Sequence, residues 1–176
     1  MSVRHQPGPL TLSEEDRRAV AMWAADCAER VLPIFEVAAP DDSRPRDAIK
    51  GVRAFAHGEM RIGPVRVLSA KAHAAAREVQ IPAATAAARA AGHAAGVAHM
   101  AAHARGIAYA AIAVGLDNPT DSNAIADELT WQIDQASPKV RDVMCKLPPP
   151  RRSGGKLATL IVDMHAKFTR YAKRII

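Results

Sequence analysis

Apolar positions recur at offsets of three and four along most of this chain, the period of an amphipathic helix. Val20, Trp23, Ala24, Cys27, Val31 and Ile34 predict one such face. Ser13 leads in as N-cap, and Glu14, Glu15 and Asp16 place negative charge at the free N–H groups of the first turn. Pro33 lies inside this pattern and predicts a kink or the end of the regular helix. Asp26 and Arg30, four apart, are placed to pair on one side. Pro40-Asp41-Asp42-Ser43 reads as a break and a cap. Arg44-Pro45 then opens a second helix with Ala48, Ile49, Val52, Phe55 and Ala56 inward, closed by His57-Gly58. Gly63-Pro64 opens a third along Val65, Leu68, Ala72, Ala75, Ala76 and Val79.

The next stretch has a different character. Ala83–Leu116 contains seventeen alanines in thirty-four residues and no Asp or Glu, with Pro82 at its first helical position. Alanine gives high helix propensity and lets neighbouring helices approach closely. A segment so poor in charge reads as the wrapped inner wall of the fold. Its length predicts a split near Met100–Ala102. Gly92 and Gly96, four apart, are expected to admit a neighbouring backbone. After the turn Asp117-Asn118-Pro119, Thr120 or Asp121 is expected to cap a helix along Ile125, Leu129, Ile133 and Ala136, with Trp131 off that stripe. Ser137-Pro138 caps a short helix carrying Val140, Val143, Met144 and Leu147.

Pro148 to Gly155 is a stiff, then flexible, linker. Beyond it, Leu157, Leu160, Ile161, Met164, Phe168, Tyr171 and Ile175 form an apolar stripe, with Lys167, Arg170, Lys173 and Arg174 mostly off it. The expected organisation is an all-α, compact multi-helix bundle of about six to eight helices around an Ala-rich central helical pair. In domain terms this is a helical body over 1–147, the linker 148–155, and a basic amphipathic C-terminal helix over 156–176.

Composition narrows this further. Seven aromatic residues in 176 leave Ala, Val, Leu and Ile to build the core, which favours close-packed helices over a β-sandwich. Cys27 and Cys145 match no metal or redox spacing, and Cys27 falls on an apolar face, where a structural thiol is expected. The N-terminus lacks the apolar run of a signal peptide, and the longest apolar run, Ile107–Leu116, is too short to span a bilayer. A reduced, cytoplasmic setting is the expectation. The net charge of +6 is uneven: from Lys146 onward eight basic residues face the single acid Asp163, so the body is close to neutral.

Candidate chemistry is sparse. His93, His99 and His103 lie in the Ala-rich segment, with His73 on the helix before it. His99 and His103 share a helix face and are spaced to share a metal. No carboxylate between Glu78 and Asp117 is at hand to orient them, so buried, hydrogen-bonded histidines are the plainer reading. Nucleophile elbows, zinc-protease motifs and phosphate loops are absent from the sequence. Three readings compete for the basic tail: docking on the body, docking on a second subunit, or binding nucleic acid or an anionic membrane.

The stretch Trp23 to Glu36 resembles the opening of a bacterial family of immunity proteins with an Imm-five-like helical domain. Arg44 to Ile49 looks like that family's second-helix start. Ala90 to Ala95 and Val97 to Ala104 look like its alanine- and histidine-rich middle, and Glu128 to Gln132 like a later helix. The resemblance covers about residues 12–147 and does not extend to the tail. It implies an all-α, non-enzymatic cytoplasmic protein, without cofactor, that binds and neutralises a cognate toxin. The near-neutral body argues against acidic mimicry of nucleic acid. Candidate contact residues are Asp26, Glu29, Arg30, Arg44, Asp47 and Trp131, the first five equally readable as a structural salt-bridge network. A metal- or ligand-binding protein using His73, His93, His99 and His103 is the alternative, as is a nucleic-acid-associated protein acting through the tail. Homo-oligomerisation stays open.

Overall fold

The structure is a computed structural model and describes residues 8–151 and 154–172. Among them are eight α-helices, one 3-10 segment and no strand. Helix α1 spans Glu14–Ala38, α2 Arg44–His57, α3 Ile62–Glu78 and α4 Pro82–Gly96. The 3-10 segment is Ala101–Ile107. It runs into α5, Ala108–Asp117, followed by α6, Ala124–Asp134, α7, Pro138–Lys146, and α8, Lys156–Ala172.

Helix α4 is the axis. Apart from its first residue, Thr85, Arg89 and His93, its residues are buried, and it packs on α1, α2, α3 and α5. Alanine makes this possible, because a helix with methyl side chains can be surrounded without leaving voids between larger groups. Larger side chains arrive from the outer helices: Phe35 and Leu32 from α1, Ile49 and Phe55 from α2. The Ala-rich segment breaks where the sequence predicts, with a turn after Gly96 and the 3-10 stretch from Ala101. The free end of that stretch is capped by the chain's own N-terminal strap. Ala102 N donates to Leu10 O and Ala101 N to Thr11 O. The buried Arg17 seals the other side, donating through Nε to Ala98 O at 2.9 Å and through Nη1 to Leu12 O at 2.8 Å.

Several local expectations hold. Ser13 Oγ accepts from Asp16 N at 3.1 Å, and Ser137 Oγ accepts from Val140 N at 3.3 Å. Gly58 closes α2 at φ 83°, a left-handed conformation that glycine adopts without strain. Others do not. Pro33 does not end the regular helix, and α1 continues through it to Ala38. Pro33 is exposed, so water can take up the carbonyl that its missing N–H leaves free. Neither Thr120 nor Asp121 caps α6. Its N-cap is Asn123, and Asp121 Oδ1 instead accepts from Asn123 N at 2.9 Å, a turn before the helix.

Helix α8 packs on α5, α6, α7 and the 3-10 segment. Leu160, Met164 and Phe168 are buried in the same core cluster as the body, and the Phe168 ring meets Trp23 edge-on at 5.9 Å. Docking on the body is therefore the arrangement found for this helix. The predicted stripe positions Tyr171 and Ile175, and the basic residues Lys173 and Arg174, lie outside what is described of the side chains. Cutting Phe168 to Ala should cost about 3–5 kcal/mol. Urea unfolding would show one cooperative transition at a lower midpoint, and an unchanged midpoint would mean that α8 adds nothing to the stability of the body.

Candidate functional site

The histidines converge. His73 on α3, His93 on α4, His99 in the turn and His103 on the 3-10 segment form one chain of rings. His73 meets the edge of His93 at 4.9 Å, His93 and His103 lie 5.4 Å apart, and His99 and His103 4.8 Å apart. Tyr109 of α5 stacks on His93 at 5.5 Å with the planes 15° apart. The Nδ1 atoms of His93 and His103 are 3.2 Å apart, so one donates and the other accepts.

Glycines make room for these rings. A Cβ at Gly92 would lie 2.7 Å from the His73 ring, one at Gly96 2.8 Å from His103, and one at Gly106 2.1 Å from His93. Gly92 and Gly96 thus seat imidazoles rather than a neighbouring backbone. Ser69 holds the α3–α4 seam beside them, its hydroxyl donating to Gly92 O at 2.7 Å.

Burial keeps the rings neutral. It pushes His93 down to about 3, with His73 and His103 adding to the effect, and His103 down to about 4, with His99 and His73 adding. His73 and His99 are lowered for the same first reason, then by Arg89 and Arg77 for His73, and by Arg66 and Arg17 for His99. Neutral imidazoles suit a metal, yet among the described residues no three His, Cys, Asp or Glu are placed to hold one. Nor are the rings fully satisfied by hydrogen bonds to backbone or other helices. The buried Nδ1 atoms of His73 and His99 have no partner among the described residues.

The predicted contact residues fall into two groups. Asp26, Glu29, Arg30 and Trp131 share one face across α1 and α6. Arg53, which sequence spacing did not single out, bridges Asp26 at 2.8 Å and Glu29 at 2.5 Å. Arg30 pairs with the buried Glu128 at 2.7 Å and lies 4.3 Å from the centroid of the half-buried Trp131 ring. The expected pairing of Asp26 with Arg30 is replaced by these two interhelix pairs. Arg44 and Asp47 sit at the start of α2 instead. Arg44 bridges Asp42 at 2.6 Å and Glu78 at 2.5 Å, and Asp47 accepts from the Ser43 hydroxyl at 2.8 Å. Those ion pairs hold Asp42 and Glu78 below the usual carboxylate range. Cys27 is buried beside this face, and burial pushes its thiol well up, with Glu128 and Asp26 adding to the rise.

A cleft of about 540 Å³ opens on the far side of the histidine chain, between the 3-10 segment and the start of α8. His93, His103, Arg105 and Tyr109 line one wall, Lys156, Leu157 and Ile161 another. Sequence reading passed over Arg105 and Tyr109. Tyr109 is the one aromatic residue in the Ala-rich segment, and that singularity was the available signal.

Fold and surface thus describe an all-α bundle with ordered polar faces. The chain matches the family model described as "Imm-5 like putative immunity protein" over residues 10–139, and it belongs to that family. No curated protein and no solved structure matches it. Among the described residues no helix is long and apolar enough to cross a membrane.

Two measurements test the histidine chain. An imidazole neutral when folded but protonated when unfolded makes the unfolded chain bind more protons below pH 6.5. Stability is therefore full above that value and falls as pH drops. By about pH 4.5, His93 and His103 should each withdraw about 2–3 kcal/mol. The thermal midpoint should fall over this window, and His93→Gln should flatten the slope. Gly106→Ala should cost about 1–3 kcal/mol by driving a methyl into His93. A midpoint in urea equal to that of the parent would show that the ring moves aside freely.

Proposed function

We propose that this chain is an immunity protein that neutralises a cognate toxin in the cytoplasm by direct protein contact. Its membership of the family over residues 10–139 carries this reading. The face formed by Asp26, Glu29, Arg30, Arg53 and Trp131 is the proposed contact surface. Arg and Trp dominate binding energy at protein interfaces, and here each fixes the other before a partner arrives. Asp26, Glu29 and Arg53 are likewise ordered by their ion pairs, so less side-chain entropy is lost on association. Arg44 and Asp47 form a second, smaller polar corner at the start of α2 and are proposed as peripheral contacts.

The face carries both signs of charge. A toxin surface that complements it would also be mixed, and recognition would rest on the aromatic–guanidinium centre rather than on mimicry of a polyanion. Truncating Arg30 would strand the buried Glu128, so it is a poor probe of binding alone. Trp131→Ala and Glu29→Lys are better, with thermal melting as the control for folding.

The proteins encoded next to this chain should each be expressed in host cells with and without it. One of them is expected to arrest growth, to be relieved by this chain and to co-purify with it. Trp131→Ala and Glu29→Lys should each weaken that complex by about 30-fold or more. Protection unaffected by both variants would move the interface elsewhere, and a complex with no toxic neighbour would remove the reading.

A further inference from the structure

The cleft between the 3-10 segment and α8 is lined by cations and, among the described residues, by no carboxylate. Arg18, Arg30, Arg44, Arg46 and Arg53 each have a carboxylate partner. Arg105 has none. It is partly buried, its Nη2 donates to the carbonyl of Pro148, and burial lowers its guanidinium, with no carboxylate among the described residues to offset the effect. Arg151 and Lys156 add exposed positive charge at the rim, and among the described residues no Asp or Glu lines the cleft. A partly desolvated cation without a counter-charge is costly, and an anion beside it relieves that cost.

The rest of the lining is apolar or neutral. Met100, Leu157 and Ile161 supply hydrophobic wall, Tyr109 an aromatic face, and the neutral His93 and His103 polar edges. A volume of about 540 Å³ falls in the range of small-molecule sites and exceeds what a bare inorganic ion needs. We propose that this cleft binds an organic anion, a carboxylate or phosphate head carried on an apolar body. The head lies toward Arg105 and Lys156, and the body lies on Leu157, Ile161 and Tyr109. One wall of the cleft lies within residues 10–139, which the family match covers, and the other beyond them. It stands independently of the toxin-binding reading.

Titration calorimetry on the full chain at neutral pH and fixed ionic strength tests this, with octanoate and octyl phosphate as anions. Octanol and octyltrimethylammonium serve as neutral and cationic counterparts of the same length. At least one anion should bind saturably and about tenfold or more tighter than octanol, with the cation weakest. A lead for octyl phosphate identifies a phosphate head, and a lead for octanoate a carboxylate. Lys156→Gln, at an exposed position that does not threaten folding, and Arg105→Met should each weaken the anion by about tenfold. Lys71→Gln, exposed on α3, should change nothing. Octanol or the cation binding as tightly as the anions would overturn the proposal. So would unchanged affinity in both cleft variants, or no saturable anion binding up to about 10 mM.

Discussion

Everything in this fold depends on how closely α3, α4 and the 3-10 segment can approach. With few aromatics the chain cannot fill a wide interior, so it narrows the interior instead. Alanine shortens the distance between helices, and where even alanine would be too large the sequence has glycine. The three hollows so created are occupied by imidazoles. Gly92, Gly96 and Gly106 matter here for the space over their α-carbons, into which His73, His103 and His93 pack. Polar rings buried in this way give directional contacts that methyl groups cannot, and the 3.2 Å pair between His93 and His103 fixes the 3-10 segment against α4.

The absence of carboxylates from Ala83–Leu116 shapes the electrostatics of the whole molecule. Inside, the rings have no anion to charge them and stay neutral. Outside, acids and bases collect on the helices around α4 and tie them to one another. Arg53 links α2 to α1, and Arg30 links α1 to α6 through Glu128. Lys146 and Lys139 of α7 reach Asp16 of α1. Burial raises Asp16, but Lys146 and Ser13 outweigh it and hold the carboxyl below its ordinary value. Arg105 has no such partner among the described residues, because its surroundings come from the Ala-rich segment and the early tail, neither of which supplies an acid to the cleft.

Helices were legible because their signals are local. Apolar spacing, Ser13 and Ser137 at N-caps, and Gly58 at a C-cap act within a few residues and survive in the fold. That α1 runs on past Pro33 was not legible, because it depends on which side of α1 faces water, and that is a tertiary fact. The proposed contact residues were chosen on α1 for their polarity and on α6 because Trp131 lies off the apolar stripe. Their partners were not, because Arg53 and Glu128 lie far along the chain from Glu29 and Arg30. The histidine chain was named as a set, but not as stacked rings. Its geometry depends on glycines whose role as hollows appears only once α3 and the 3-10 segment are laid against α4. The cleft was hidden for the same reason, since its two walls come from separate parts of the sequence.

The tail and the proposed contact face are joined by an unbroken series of contacts. Phe168 of α8 packs on the edge of Trp23, and the Trp23 indole N–H donates to Gln132 O at 2.7 Å. Gln132, fully buried, donates through its side-chain amide to Glu128 at 3.2 Å, and Glu128 holds Arg30 over Trp131. Each step fixes the position of the next: the aromatic edge sets the indole, the indole sets the α6 backbone, and α6 sets the carboxylate that orients Arg30. The family match covers residues 10–139 and stops before α8. The packing shows that the geometry of that region is completed from outside it, by a helix whose start also forms a wall of the basic cleft.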